Sequence, residues 1–287
     1  MNLQNAKAVL VAIQLKTYTN ERTDEQTSQE VRAERQLSAD AGNWHHFKLK
    51  PAWLEPLKKL RSKIRNWHYA ITLDWEQGRQ LLPAAKFVAY RTELAQWQNQ
   101  YVAELEKFLE QYPGYIEERR RDLNGTFDRS DYPDAETMRR LFTCQALFYP
   151  IPDEAHVSAR LGPEVAQAMR DSVGASNEDR LENALASLWL RILEPVHHMA
   201  QKLADPQEVF RDSLVENLRA MLQEAPSYDF LKHPDVAVAL KTIETQLASV
   251  TPETLRTNET TRASVAKAAA KLVKTYGKPG GRKLNLN

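Results

Sequence analysis

A run of large apolar residues within residues 84–112 constrains the possible folds most strongly. Its members recur at alternating spacings of four and three: Tyr90, Leu94, Trp97, Tyr101, Leu105, Phe108 and Tyr112. This spacing places them along one side of a helix of roughly six turns. Such a seam requires a helix to cover it, either within one chain or in a second copy. Pro113 and Gly114 are predicted to end the helix.

A second stripe with the same spacing lies in the C-terminal half and contains Leu181, Leu185, Leu188, Ile192, Val196, Met199 and Leu203. Pro195 interrupts this stripe and predicts a kink near Arg191. Strand-like alternation is found at residues 9–15 and 142–148, and the 9 glycines argue against a sandwich or barrel built on many tight turns. We therefore expect a mainly α-helical (α+β) fold, a multi-helix body with long antiparallel helices and a small β-sheet of two or three strands.

Further helices are predicted at residues 23–36, from Pro51 or Pro56 onward, after Asp205-Pro206, at residues 236–250 and at residues 261–276. The chain of 287 residues is long enough for one large domain or two of ordinary size. We expect three consecutive segments. Residues 1–160 hold the strands and a helical hairpin, residues 161–260 form a helical region packed on it, and residues 261–287 form a basic helix and tail.

The cysteine content and the N-terminus indicate a cytoplasmic protein, in the host cytoplasm if the chain is phage-encoded. Cys144 is the single cysteine, which excludes an intramolecular disulfide and every CxxC site and fits a reducing compartment. The apolar run at residues 8–15 is too short to span a bilayer, and no signal sequence is evident. We therefore expect no contact with a membrane.

No catalytic motif is recognisable in the sequence. Phosphate-binding GxxxxGK[ST] and GxGxxG loops, a GxSxG elbow and an HExxH helix are all missing. We therefore expect that the protein is not an enzyme and that it binds no cofactor or metal. Glu194 and His197 have the Glu-x-x-His spacing of di-iron bundles, but the pair occurs once and contains Pro195, so a surface pair is favoured.

A cysteine and a group of three aspartates could also suggest catalysis or metal binding, but a structural interpretation is favoured for each. Cys144 alternates with apolar residues on a predicted strand, which favours a small buried side chain over a nucleophile. Asp128, Asp131 and Asp134 are spaced for a cation loop but lack the glycine and glutamate of an EF-hand. A solvated loop rich in turns is the better interpretation.

The charge distribution is asymmetric although the net charge is only +1. No acidic residue follows Glu259, and the seven basic residues after it are Arg262, Lys267, Lys271, Lys274, Lys278, Arg282 and Lys283. They carry +7, which leaves −6 for the rest of a chain with net charge +1. Four of the lysines lie roughly 200° around the predicted helix from its apolar face. Four interpretations of this lysine stripe stay open. It binds nucleic-acid phosphates, it binds anionic lipid, it contacts an acidic neighbouring subunit, or it is exposed to solvent alone.

A second basic cluster contains Lys58, Lys59, Arg61, Lys63 and Arg65. Trp67, His68 and Tyr69 follow it, and charges beside aromatic rings are typical of proteins that bind single strands. However, Trp67 lies on the apolar side of the predicted helix, which favours a position in the core.

Several strings resemble a phage and proteobacterial family that is catalogued only as a domain of unknown function. They are Thr72-Leu73-Asp74-Trp75, Gly78-Arg79-Gln80-Leu81-Leu82-Pro83, Asp131-Tyr132-Pro133, Tyr149-Pro150-Ile151-Pro152 and Phe210-Arg211-Asp212-Ser213-Leu214-Val215-Glu216-Asn217. The resemblance covers about residues 9–270, and Asp74 departs from it where proline is expected. It implies a phage or mobile-element setting near MoxR-type ATPase and von Willebrand A-like proteins, and hence an AAA+ ATPase partner, but no catalytic residue.

Two functional hypotheses follow. The first is a non-enzymatic, phage-type accessory or adaptor protein that acts through self-association as a homo-oligomer and through protein–protein contacts. The alternative is a protein that binds single-stranded DNA or RNA through Lys267, Lys271, Lys274, Lys278, Arg282 and Lys283, with Lys58, Arg61 and Arg65. A metal enzyme centred on Glu194 and His197 is a more distant third.

Overall fold

The computed structural model describes residues 7–152, 162–225, 227, 231 and 233–277. These residues form two compact units that are interleaved in sequence. The N-terminal unit contains residues 13–70 and 89–147, and the C-terminal unit contains residues 7–12, 71–88 and the described part of the chain from residue 148 onward. This division differs from the three consecutive segments expected from the sequence.

The fold is mainly α-helical with small antiparallel sheets, as predicted. The described helices are α1 (Glu25–Glu34), α2 (Pro51–Ile71), α3 (Phe87–Leu123), α4 (Ala135–Arg140), α5 (Pro163–Ala204), α6 (Ser213–Glu224), α7 (Pro234–Ile243), α8 (Pro252–Thr257) and α9 (Glu259–Tyr276). The described strands are β1 (Ala8–Lys16), β2 (Glu21–Thr23), β3 (His45–Phe47), β4 (Leu73–Glu76), β5 (Arg79–Pro83) and β6 (Thr143–Tyr149). Short 3₁₀ turns at Ala84–Lys86, Asn124–Thr126 and Arg129–Asp131 and a π-helical turn at Glu244–Ala248 complete the described elements.

The larger sheet has four strands in the order β4-β5-β1-β6, and β2 pairs with β3 in a separate two-stranded sheet. Strands β1 and β6 lie where alternation predicted them. The hairpin β4–β5 was not predicted. Its strands are four and five residues long, so alternation hardly shows in them, and Gly78 turns between them with a φ of +80° that favours glycine.

In the N-terminal unit, the seam of α3 is covered by the unit's own residues. Tyr101, Leu105 and Phe108 are at most 5% exposed, and they share a core with Leu57 and Ile64 of α2. The prediction that α3 ends at Pro113 is wrong. A proline inside a helix costs roughly 3 kcal/mol, but α3 continues to Leu123 because side chains on both sides of the proline are buried.

In the C-terminal unit, the stripe of α5 is buried in the same way. Leu188, Ile192, Val196, Met199 and Leu203 of α5 share a core with residues of α6, α7 and α9. The prediction of a helix directly after Asp205-Pro206 is wrong, because α6 begins only at Ser213. Asp205 Oδ1 instead accepts a hydrogen bond from the backbone N–H of Gln207 at 2.8 Å. Such local bonds favour a turn over a helix.

Candidate nucleic-acid interface

Helix α9 is anchored at both ends. The Asn258 side chain caps its start by accepting a hydrogen bond from the Thr261 backbone N–H at 2.8 Å. At its far end, the Tyr276 ring stacks on Trp189 of α5, with ring centroids 4.8 Å apart. Between these points Val265 and Leu272 are buried. The helix is therefore held by one apolar side, and its opposite side is left to solvent.

Three lysines occupy the opposite side of α9. Lys267, Lys271 and Lys274 are all exposed, and at about 100° per residue they fall within roughly 60° of one another around the helix. A rise of about 1.5 Å per residue spreads them over roughly 10 Å. We call these three residues the lysine face. None of them forms an ion pair with any residue that the structure describes.

The surroundings of the lysine face on its own helix carry no negative charge. Between Thr260 and Tyr276 there is no carboxylate, and the other exposed residues are small: Ala263, Ser264, Ala270 and Thr275. The three ammonium groups are therefore not neutralised by α9 itself, and no aromatic ring of α9 is exposed beside them. Such an arrangement attracts anions without offering a surface on which bases can stack.

Arg262 belongs to the basic C-terminal segment in sequence but not to this interface. It is only 7% exposed. Its Nη2 donates to the backbone carbonyls of Lys202 (3.1 Å), Asp205 (2.5 Å) and Glu208 (2.8 Å). The guanidinium also lies over the Phe210 ring, 5.3 Å from the centroid. Arg262 was counted in the positive charge of the C-terminal segment but not among the predicted binding residues, and in the structure it ties α9 to the end of α5.

The remaining cations of the predicted basic tail follow α9 in sequence. Lys278, Arg282 and Lys283 lie outside the described residues. Helix α9 itself ends where predicted, at Gly277, whose backbone N–H donates to the Val273 carbonyl at 2.8 Å.

The second predicted basic set lies on α2, in the N-terminal unit. Lys58 and Arg65 are exposed. Arg61 is half-buried and donates to the Thr17 hydroxyl at 3.4 Å. The three residues therefore share a flank of α2, but Arg61 is partly engaged by its own unit.

The aromatic residues beside this set belong to the core. Trp67 is half-buried and stacks on Tyr90 of α3, with ring centroids 4.9 Å apart. His68 is 1% exposed, its Nδ1 lies 2.9 Å from the Tyr90 hydroxyl, and burial lowers the pKa of its imidazole to about 4. Only Tyr69 remains exposed. A base-stacking platform is therefore not formed by Trp67 and His68, as the position of Trp67 on the apolar side of α2 indicated.

The residues that could carry catalysis are not brought together. Glu194 is exposed and His197 half-buried, and within the described ranges no group of three or more His, Cys, Asp or Glu side chains is arranged to hold a metal. Cys144 is half-buried, and burial raises the pKa of its thiol to about 11. A protonated thiol is a poor nucleophile at neutral pH.

The predicted turn-rich aspartate loop is organised by internal contacts. Arg22 Nη1 lies 3.0 Å from Asp128 Oδ2 and 2.5 Å from Asp131 Oδ2. Hydrogen bonds from Ser130 and then the Arg22 guanidinium lower the pKa of Asp128 to about 2. Asp134 caps α4 by accepting from the Thr137 backbone N–H. An arginine thus occupies the position between two carboxylates where a cation would otherwise bind.

A groove between α2 and α3 was missed by sequence reasoning. Its lining includes Lys59 and Lys63 of α2 and Lys107 of α3. The spacing of Lys59 and Lys63, four residues apart, was visible in the sequence. Their pairing with a lysine of another helix required the tertiary structure.

Comparison of the chain with protein-family models, with curated proteins and with solved structures finds no match. Among the described helices, none combines the length and the apolar character that crossing a bilayer requires.

Proposed function

We propose that this protein is a non-enzymatic nucleic-acid-binding protein that grips phosphates with the lysine face of α9. The observation that carries the proposal is the set of three exposed lysines without ion-pair partners among the described residues. They lie on a helix whose opposite side is anchored in the core of the C-terminal unit. Lysines on a firmly held helix can neutralise backbone phosphates and release counterions without ordering the helix first.

The chemistry of this face favours sequence-independent binding. Lysine ammonium groups form point contacts with phosphate oxygens, and such contacts position a nucleic acid without identifying its bases. The exposed neighbours on α9 are small residues, so the face offers neither rings for stacking nor planar groups for base edges. Binding is therefore expected to depend steeply on salt and little on sequence.

Self-association has less support than the sequence suggested. The hypothesis of a homo-oligomeric adaptor rested on two long seams, and both are covered by residues of their own units. No uncovered seam on α3 or α5 then calls for a second copy. The adaptor role, the phage setting and the AAA+ ATPase partner stay predictions, of which the last two rest on the resemblance alone.

Fluorescence anisotropy with a labelled single-stranded oligonucleotide of mixed sequence tests the proposal on the full chain. Binding at low salt should weaken as salt rises, with a slope of about −2 in log K against log[salt] if the three lysines each contact one phosphate. The triple variant Lys267→Glu, Lys271→Glu, Lys274→Glu should lose binding while keeping its circular dichroism spectrum and thermal midpoint. The matched triple Lys→Arg variant keeps the charge and should bind like the original protein.

Two results would overturn the proposal. The first is a wild-type protein that does not bind the oligonucleotide at low salt. The second is a triple Lys→Glu variant that binds as well as wild type, since this would remove the lysine face from the mechanism. Light scattering coupled to gel filtration on the same samples measures the oligomeric state and so tests the adaptor hypothesis separately.

A further inference from the structure

The N-terminal unit contains a groove whose origin lies in two aromatic stacks. Near the start of α2, Trp53 stacks on Tyr115 of α3, with ring centroids 4.1 Å apart and ring planes 9° apart. Near the end of α2, Trp67 stacks on Tyr90 of α3, with centroids 4.9 Å apart. The start of α2 thus meets the later part of α3, and the two helices run antiparallel. Wide rings at both contact points hold the helices apart.

The groove opens between these two stacks, over Leu60 of α2 and Ala103 of α3. It has a volume of about 350 Å³, at the lower end of the roughly 300–1,000 Å³ typical of ligand sites. Its apolar part is formed by Pro56, Leu60 and Ala103. Ala103 is exposed at the midpoint between the two stacks of α3, so the opening results from a small residue between larger ones.

The lining of the groove has a net positive charge, with lysines on both helices. Lys59 and Lys63 line one side and Lys107 the other, with Glu104 as the one carboxylate in the lining, so the formal charge is +2. Lys107 lies 3.1 Å from Glu104, and Lys59 lies 3.8 Å from Glu55 outside the lining. Lys63 forms no ion pair with any described residue. An anionic partner would therefore meet one unengaged ammonium group and two that are held only by exposed pairs of low strength.

We propose that this α2–α3 groove is a docking site for an acidic amphipathic helix of a partner protein. The charge complementarity requires an anionic occupant, and the apolar part formed by Leu60 and Ala103 gives apolar side chains of such a helix a surface to cover. Recognition of a helix by an apolar groove with charged rims is a recurrent mode of peptide binding. A phosphodiester backbone has no apolar side chains to place there. These features favour a peptide over a nucleic acid at this site.

Two double variants and one single variant distinguish binding in this groove from binding to positive charge in general. Lys63→Glu with Lys107→Glu reverses the net charge of the groove lining. Lys58→Glu with Arg65→Glu makes the same change on exposed positions of α2 that lie roughly 100° to 160° around the helix from Lys59 and Lys63. Ala103→Trp fills the groove without altering any charge. Each substitution replaces an exposed residue, so the fold should be retained, which circular dichroism and the thermal midpoint check.

The probe is a fluorescein-labelled synthetic helix with leucines on one side and glutamates on the other, titrated by anisotropy into the full chain. We expect wild-type protein and the Lys58→Glu/Arg65→Glu variant to bind it equally. Binding should weaken about tenfold or more in Lys63→Glu/Lys107→Glu and by a similar factor in Ala103→Trp. An isosteric peptide with glutamine in place of glutamate should bind at least about tenfold more weakly to wild type.

Three outcomes would overturn the proposal. The peptide could fail to bind wild type at submillimolar concentration. Ala103→Trp could bind as wild type, which would mean that the groove is not occupied. A single-stranded oligonucleotide could displace the peptide and itself lose affinity in Lys63→Glu/Lys107→Glu but not in the triple lysine variant of α9, which would make the groove a phosphate site.

Discussion

Helices α9 and α2 are both basic, and each buries one basic residue. The two buried residues are accommodated in different ways. On α9 the buried residue is Arg262, whose guanidinium donates to three backbone carbonyls. On α2 the buried residue is His68, whose imidazole has a pKa lowered to about 4 by burial. A guanidinium cannot give up its proton, so its burial requires acceptors, whereas an imidazole can be buried in its neutral form.

The exposed charges of the two helices differ as well. The lysine face of α9 is left unpaired by the described residues. On α2, Arg61 contacts Thr17 and Lys59 lies 3.8 Å from Glu55. A basic run in a sequence therefore contains at least two kinds of cation: those that stabilise the fold and those that remain available to a partner.

The largest effect is expected at Arg262. Replacing it with methionine leaves three carbonyls near the end of α5 without their donor, and we expect the free energy of unfolding to fall by about 3 kcal/mol. Lys271→Met on the same helix removes an exposed charge and should change the stability by less than about 0.5 kcal/mol. Urea denaturation of both variants measures the difference. Equal stabilities would mean that Arg262 is no more structural than the lysine face.

The next effect is a pH dependence caused by His68. Because its folded pKa of about 4 lies below the ordinary value of 6.5, the unfolded chain binds a proton between these values and the folded chain does not. Stability is then full above pH 6.5 and is lost as pH falls toward 4, by about 2 kcal/mol at pH 5. Burial raises the pKa of the neighbouring Tyr90 hydroxyl, so this group stays neutral in the same window.

Urea denaturation at pH 7.5 and pH 5 measures this loss, with His68→Gln as the comparison. The variant starts from a lower stability but should show a smaller decrease between the two pH values. A decrease as large as that of wild type would assign the pH dependence to other groups.

The smallest effect separates the two kinds of cation on α2. Arg61→Met removes a half-buried side chain and its bond to Thr17, and it should cost up to about 1 kcal/mol. Lys58→Met removes a fully solvated charge, so its stability should match wild type within about 0.3 kcal/mol. Thermal unfolding with a resolution of about 1 °C distinguishes these values. If Lys58→Met were the more destabilising change, the assignment of Arg61 to the fold would be wrong.

Local signals were sufficient for most helices and for two strands. The spacing of Leu188, Ile192 and Val196 predicted α5, and alternation predicted β1 and β6. The strands of the β4–β5 hairpin and the passage of α3 through Pro113 could not be predicted in this way. Both depend on packing that a window of sequence does not contain, and packing outweighs local preference.

The candidate interface was predictable only in part for the same reason. The four/three spacing around Lys267, Lys271 and Lys274 placed them opposite the apolar side of α9, and the structure agrees. Arg262 was counted in the positive charge of the same segment but not in the predicted binding set, and its side chain is buried in the structure. The joint lining of one groove by Lys63 and Lys107 could not be predicted from the sequence either, since the two residues are 44 residues apart.

From the sequence alone, most helical segments of this protein, the apolar sides of those helices and the places where positive charge accumulates could be predicted. These properties follow from periodicity, capping and composition, all of which act over a few residues. The tertiary structure was needed to show that both seams are covered within their units and that Arg262 is structural. It was also needed to show that a groove with lysines on both rims opens between two aromatic stacks. Those outcomes depend on which distant residues meet, and burial and pairing energies are defined only once they have met.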